Sequence, residues 1–533
     1  MRPQASGEVV WRPPREVARV SHLERFIGGQ GLSSLEHLHA RASADPAWFW
    51  GAAAEELGIR WSRPFRTVLD LSGGPWAPRW FPGGALNIVD TCLGLQLDRG
   101  RADEPALIWE GEPGEVRRLT YGDLAAEVSR LAAALAALGV EPGDHVGLFL
   151  PTIPEAVVAA LACARICAPF VPADARITPE ALASALNDTK AKVLICADGF
   201  HLGGAVVPTK ELADEALDRC PSVRRVIVHR RVVREIPWRH GRDLVWEQLL
   251  EDAPAPAPAL EGRPDTPLVV LHPAAAAVSE LTVHVHAGLP VKAAQELGHV
   301  FDLGPGDLVF WPRLGAGGVE PWLTFGALAR GAAVLICEGA LDAPDPCRTW
   351  RLAAEHGVTH LGVSSRLVRT LMSGEAACAA HHDLSRLRIL CGPGAGWDPR
   401  TWLWFFEQVG GGTRPLLLGW GRAEDSGSIL SGNLLTPMRP GSFAGPAPGV
   451  AADVVDAAGA SLGGGTGEVV VRAPWPGMGA ALDEQGRKRL AHRWDRFPGA
   501  WGRGDTVSVD SRDRLWYLAE GLDAQADRGG AAC

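Results

Sequence analysis

The stretch ALIWEGEPGEVRRLTYGDL, residues 106–124, sets the fold class. Residues 106–110 read as a strand. Thr120 and Asp123 have the spacing of a capping box, in which two side chains satisfy each other's free backbone N–H groups at a helix start. Leu124, Val128, Leu131, Leu135 and Leu138 then recur at helical spacing, and Gly139 stops the helix. Working outward, Glu141-Pro142-Gly143-Asp144 turns the chain into a strand at 146–150. A helix is predicted from Pro154 to about Ile166, and a strand at 193–196. Strands alternating with helices need crossover connections, so the class is α/β with a largely parallel sheet.

The Pro/Ala-rich run DAPAPAPALEGRPDTP, residues 252–267, reads as an extended connector. A second α/β series follows, with strands near 308–311, 333–338, 360–363, 388–391 and 416–418. Past about 435, Gly/Pro turns and short strands such as 468–472 predict a β-rich subdomain. Upstream, residues 22–95 carry Asp45-Pro46-Ala47-Trp48-Phe49-Trp50, a short amphipathic helix through Leu57, and RWFPGGALN at 79–87. So many aromatics beside Gly and Pro predict an irregular layer packed on a larger body. The expected divisions are 1–95, 96–435 and 436–533, and no internal repeat is visible.

With 533 residues, 47% hydrophobic and 21% charged, the chain suits a globular protein with a large core. The net charge of −10 gives no general attraction to nucleic acid or acidic lipid. No N-terminal apolar segment follows Met1, and no run approaches the ~20 apolar residues of a membrane span. Neither nucleic acid nor membrane is therefore an expected partner. Ten cysteines (Cys92, Cys163, Cys167, Cys196, Cys220, Cys337, Cys347, Cys378, Cys391 and Cys533) include no Cys-x-x-Cys pair. Cys163 and Cys167 are expected as buried thiols on one helix face, and the chain as a reduced, cytoplasmic protein. The five lysines are Lys190, Lys192, Lys210, Lys292 and Lys488.

A second stretch, VVLHPAAAAVSELTVHVHAG at 269–288, carries a resemblance. Its ends are similar to the phosphate-binding segment of the acyl-adenylate-forming (AMP-binding) ligases, and within them to acetyl-CoA and other short-chain acyl-CoA synthetases. RWFPGGALN, the opening stretch, LPTIPEAVVAALACARICAP, PSVRRVIVHRR, CEGALDAPDP, GSFAGPAPGV and APWPGM extend the resemblance over about 22–530. It implies two mainly parallel sheets with helices plus a β-rich subdomain. It also implies a two-step reaction, in which a carboxylate attacks ATP to give acyl-AMP and the CoA thiol then displaces AMP. Relative to that pattern the mobile C-terminal domain and its catalytic lysine are missing.

Carried over residue by residue, Gly394 falls at the adenine side, Asp505 at the ribose, and Trp420 and Glu424 in the signature where a glutamate serves Mg-ATP. The acyl pocket falls at Gly421, where acetate-using relatives have a tryptophan, and at Ala316, Gly317 and Gly318. A larger acyl pocket behind Gly421 is expected. His284 and His286 share a strand face, and the structural role is favoured over a metal pair. Other positions depart from the pattern. In the phosphate loop Pro273, Ala274, Ala275, Ala276, Ala277, Val278 and Glu280 replace glycines, hydroxyls and a lysine. Alanines bring no side-chain donor and resist the positive-φ turns of an anion nest, and a glutamate repels a triphosphate. The residues after Gly394 are Ala395-Gly396. Ala175-Arg176-Ile177-Thr178 lacks the glycines, and the stretch 197–205 the arginines and lysine, of a CoA path, and the hinge at 519–523 carries Glu520 for arginine.

These losses at four anion sites imply a degenerate homologue unable to adenylate alone and acting by binding or scaffolding, with no residue assigned as catalytic. The alternative is an active acyl-CoA ligase with an altered phosphate grip. Residual nucleotide binding is expected to be weak and to favour AMP over ATP with Mg, and CoA binding is in question. A protein partner is expected at the face around Trp516 and Tyr517.

Overall fold

The computed structural model describes residues 8–256, 258–272, 281–312, 320–372, 378–481, 484–497 and 499–519. The expected phosphate loop, the pocket wall Ala316, Gly317 and Gly318, and Glu520 lie outside them. The opening hairpin, Pro105–Glu110 with Val116–Thr120, does not pair with the strands that follow it in sequence. It joins a nine-stranded sheet whose other members all come after residue 300. There Pro105–Glu110 lies parallel to Ala333–Cys337. Next come Leu308–Phe310, His360–Gly362, Ile389–Pro393 and Leu416–Trp420, all parallel, and the antiparallel Leu430–Ser431 and Gly445–Pro446 close that edge.

The second sheet has eight strands, in the order Asp243–Val245, Arg225–His229, Val193–Ala197, Val146–Phe149, Phe170–Pro172, Pro267–Leu271, Thr282–Val285 and Ala480–Ala481. It is parallel as far as Pro267–Leu271 and antiparallel beyond. Strands such as Val146–Phe149 and Val193–Ala197 are buried along their whole length. That pattern is what a parallel sheet covered on both faces requires. Between the sheets, every residue of Leu289–His299 is buried, and Pro321–Arg330 packs against it. Gly326 permits the contact, because a Cβ there would stand 2.9 Å from the Ala293 backbone. A four-stranded antiparallel sheet follows, of Ala452–Val455, Gly465–Val471, Trp501–Val509 and Trp516–Leu518.

The connector and the helix Pro46–Leu57 stand where expected, the latter capped by Asp45. Two expectations need correction. The ten cysteines are not all thiols, since Cys347 and Cys378 form a disulfide. Cys167 is buried but lies past the end of helix Pro154–Arg165, in a left-handed conformation, so it shares no helix face with Cys163. Trp516 and Tyr517 are half-buried, and Trp516 exchanges backbone hydrogen bonds with Phe443. Among the described residues, no helix is long and apolar enough to cross a membrane.

Helix Tyr121–Ala137 begins with the expected box: the Asp123 N–H donates to Thr120 Oγ1 at 3.1 Å and the Thr120 N–H to Asp123 Oδ2 at 3.0 Å. Thr120→Ala removes one acceptor, and urea unfolding is expected to show a loss of about 1 kcal/mol.

Candidate functional site

Strand alternation builds the centre of the site. In Trp501–Val509, residues two apart share a face, and Trp501, Arg503 and Asp505 are all buried while Gly504 is exposed. That face meets the end of Leu416–Trp420 and the tight turn Ala423–Asp425 that follows it. Arg503, with a side chain 0% exposed, lies 4.8 Å from the Trp420 ring centre and 5.2 Å from that of Trp501. Its Nη1 donates to Asp425 Oδ2 at 2.5 Å and its Nε to Asp505 Oδ2 at 3.3 Å. Burial opposes charge on this guanidinium, but Asp425 and Asp505 outweigh it and hold the pKa above the ordinary value. Burial pushes the Asp425 carboxyl up to about 6, against the pull of Arg503.

Arg422 completes the cluster. Its Nη2 donates to Asp505 Oδ1 at 2.8 Å and Oδ2 at 2.9 Å. Both oxygens of the residue matched to the ribose are therefore held by arginines of the chain itself. Glu424 lies 3.9 Å from Arg422 Nη1 and 3.8 Å from Arg493 Nη1, so two guanidiniums stand where a cation would be held. Gly394 packs directly on this cluster. A Cβ there would lie 2.9 Å from Trp420 Cβ and 2.4 Å from the Phe443 ring, and its N–H donates to the Gly419 carbonyl at 2.6 Å. Gly394, Trp420, Glu424 and Asp505 thus come together in one cluster, with both carboxylates facing arginines of the chain itself.

Of the expected acyl pocket only Gly421 lies among the described residues. A Cβ on Gly421 would stand 1.9 Å from the Gly427 carbonyl oxygen and 3.2 Å from Ser428 Cα, so backbone fills that place. Glu296 fixes this backbone by accepting the Ser428 N–H at 3.0 and 2.9 Å. Glu296 also receives Lys292 Nζ at 2.8 Å, with both side chains buried. Lys292 is therefore committed within its own helix. A cavity of about 110 Å³ opens elsewhere, between the sheets, beside Ala175, Arg176, Phe200, Phe310 and Trp311. Glu320 lines it, with its carboxyl pushed up to about 8 by burial.

The stretch matched to the CoA phosphate path is likewise satisfied from within. Glu112 accepts the N–H groups of Gly203 at 2.8 Å, Gly204 at 2.6 Å and Ala340 at 2.7 Å. Burial opposes the Glu112 charge, but these donors outweigh it and hold the carboxyl below its usual range. Two arginines reach this region from the segment after strand Arg225–His229, and both are paired. Arg231 Nη2 lies 2.5 Å from Glu338 Oε2, and Arg234 is paired with Glu211. Sequence reasoning passed over Arg422, Arg503, Asp425 and Glu112. The readable signal was an arginine two residues before each retained acid, in Arg422-Ala423-Glu424 and Arg503-Gly504-Asp505.

His284 and His286 serve structure. The His284 Nε2–H donates to the Ala423 carbonyl at 2.8 Å, and Nδ1 accepts the Ser426 hydroxyl at 2.9 Å, which fixes a neutral ring. His286 Nδ1 accepts the Ile88 N–H at 3.3 Å. Neither belongs to a metal-type cluster among the described residues.

Residues 96–275 and 282–479 match the family described as AMP-binding enzyme, and residues 35–92 match the acetyl-coenzyme A synthetase N-terminus. An acetyl-coenzyme A synthetase of Rubrobacter xylanophilus is 36% identical over 485 residues, which cover 90% of this chain and 74% of that protein. One from Chlorobaculum tepidum is 32% identical over 510 residues, covering 95% and 76%. Among solved structures, an acetoacetyl-CoA synthetase from Streptomyces lividans aligns with a TM-score of 0.88 at 26% identity, over 96% of this chain and 80% of that one.

Two outcomes follow from this geometry. Gly421→Ala is expected to lower stability by about 1–3 kcal/mol in denaturant unfolding, because its Cβ meets backbone that cannot rotate away. For His284, burial lowers the pKa from 6.5 to about 4. The unfolded chain therefore takes up the proton first, so the ring's contribution is complete above 6.5 and lost as the pH falls to about 4. Accordingly, the stability deficit of His284→Asn is expected to be larger near pH ~7.5 than near pH ~5.

Proposed function

This chain belongs to the AMP-binding enzyme family, with an acetyl-coenzyme A synthetase N-terminal segment, and we propose that it is a degenerate member whose adenylate site is closed by its own side chains. The observation that carries this reading is the capture of both Asp505 oxygens by Arg422 and Arg503. A ribose that uses Asp505 must first displace those guanidiniums. The Arg422 pair is partly solvated, with the arginine side chain 40% exposed, and such pairs are worth up to about 1 kcal/mol. The Arg503 pair is buried, and breaking it strands a charge, at about 3–5 kcal/mol. The buried pair is therefore the larger obstacle.

The loop at 273–280 adds to this through its composition, four alanines and Glu280 in place of hydroxyls and lysine. Loss of a single preorganised donor commonly costs about 10²- to 10³-fold in rate. Lys210 and Lys292 flank that loop in sequence, and both are buried in ion pairs, so neither is free to supply the missing charge. On this reading the protein retains the family scaffold as a binding or scaffolding protein, takes AMP weakly and in preference to ATP with Mg²⁺, and CoA poorly.

The competing reading, a working ligase, has its own support. Arg422 is half-exposed and could swing away, and Glu424 and Asp505 are retained. Pyrophosphate exchange with acetate, propionate or butyrate separates the two. The proposal expects no exchange above a Glu424→Ala control, and clear exchange above it would overturn the proposal. In calorimetry, Arg422→Gln is expected to raise AMP affinity about fivefold, the equivalent of about 1 kcal/mol, without creating exchange.

A further inference from the structure

Far from the nucleotide cluster, one further group of side chains has the chemistry of a ligand set. Cys347 precedes helix Arg348–Glu355, and Cys378 and His382 flank the short turn Ala379–His381. Their Sγ and ring nitrogen atoms all lie within 4.8 Å of one another. Among the described residues no other group of three His, Cys, Asp or Glu side chains converges in this way. The Cα atoms of the two cysteines are 6.0 Å apart, and in this structure their sulfurs form a disulfide. Cys347 and His382 are half-buried and Cys378 is buried, so the cluster reaches solvent on one side.

We infer that Cys347, Cys378 and His382 form a binding site for a thiophilic divalent cation of the Zn²⁺ type, available when the two thiols are reduced and closed when they are joined as a disulfide. Two thiolates and one imidazole are the donor set Zn²⁺ prefers, and three protein ligands leave one tetrahedral position for water. The inferred role is binding, not catalysis. A dithiol reductant gives two electrons and two protons to the Cys347–Cys378 bond and becomes a disulfide itself. The two thiols then release their protons as the metal–sulfur bonds form.

The placement gives such a site a structural consequence. Cys347 adjoins Arg348, whose guanidinium is buried and donates to the carbonyls of Glu338 at 2.9 Å, Ala340 at 2.6 Å and Gly111 at 3.0 Å. That clamp positions the Ala340 N–H that caps Glu112. A bond from Cys347 to the 378–382 turn, whether through sulfur or through metal, ties the start of this helix to a second element. Cys92, Cys163, Cys196 and Cys391 are poor competitors, because burial pushes their thiol pKa values up.

The test is Co²⁺ titration of the full 533-residue chain, followed by its thiolate-to-cobalt charge-transfer absorption. The reduced protein is expected to take up one Co²⁺ per chain with that band and to release it to Zn²⁺, and the oxidised protein to show neither. Cys347→Ser is expected to abolish the band. His382→Gln, which alters a half-exposed side chain and leaves both sulfurs, is expected to keep a weakened band with at least about tenfold lower affinity. Absence of the band in reduced wild type, its survival in Cys347→Ser, equal uptake by the oxidised chain, or an unchanged His382→Gln affinity would each overturn the assignment.

Discussion

A guanidinium held out of water must be matched by carboxylates, and in this chain that requirement fixes the centre of the molecule. Arg503 is completely buried between two indole rings and reaches Asp425 and Asp505 at once. Satisfying it brings the third strand of the small antiparallel sheet against the turn that follows Trp420, and so joins the β-rich part to the nine-stranded sheet. Arg422 adds a second guanidinium to Asp505 from the solvent side. A carboxylate neutralised twice by its own chain has little attraction left for a ribose hydroxyl.

The same logic recurs across the site. Backbone N–H groups of Gly203 and Gly204 point at an anion, and the anion is Glu112. The space beside Gly421 is filled by Gly427 and Ser428, which Glu296 holds in place. Lys292 and Lys210 are neutralised inside the fold. Among the described residues, Asp505, Glu112, Lys210 and Lys292 are each paired with a neighbour in the chain.

Much of the fold was legible in the sequence because it rests on local signals. Apolar runs between turn residues marked many of the strands within three residues, and Thr120 with Asp123 marked a helix start to the residue. Helix Glu484–His492 was not legible, since only Gly486 is buried on it and no apolar stripe exists to read. The partner of the opening hairpin was also hidden, as it depends on pairing across more than two hundred residues. The site divided the same way. Glu424 and Asp505 could be found by their motifs, and so could the arginines beside them. That Arg422 reaches Asp505, 83 positions away, and Glu112 reaches Gly203, 91 positions away, are facts of tertiary packing. Likewise the packing of Gly427 and Ser428 against Gly421 could not be read from the sequence.

The central claim is that Asp505 belongs to Arg422 and Arg503 and not to a nucleotide. An experimental structure of the chain determined at saturating AMP tests it directly. The account predicts that the Arg422 guanidinium stays within hydrogen-bond distance of both Asp505 oxygens, with no ribose hydroxyl on that carboxylate. A ribose diol bound to Asp505, with Arg422 turned into solvent, would contradict it.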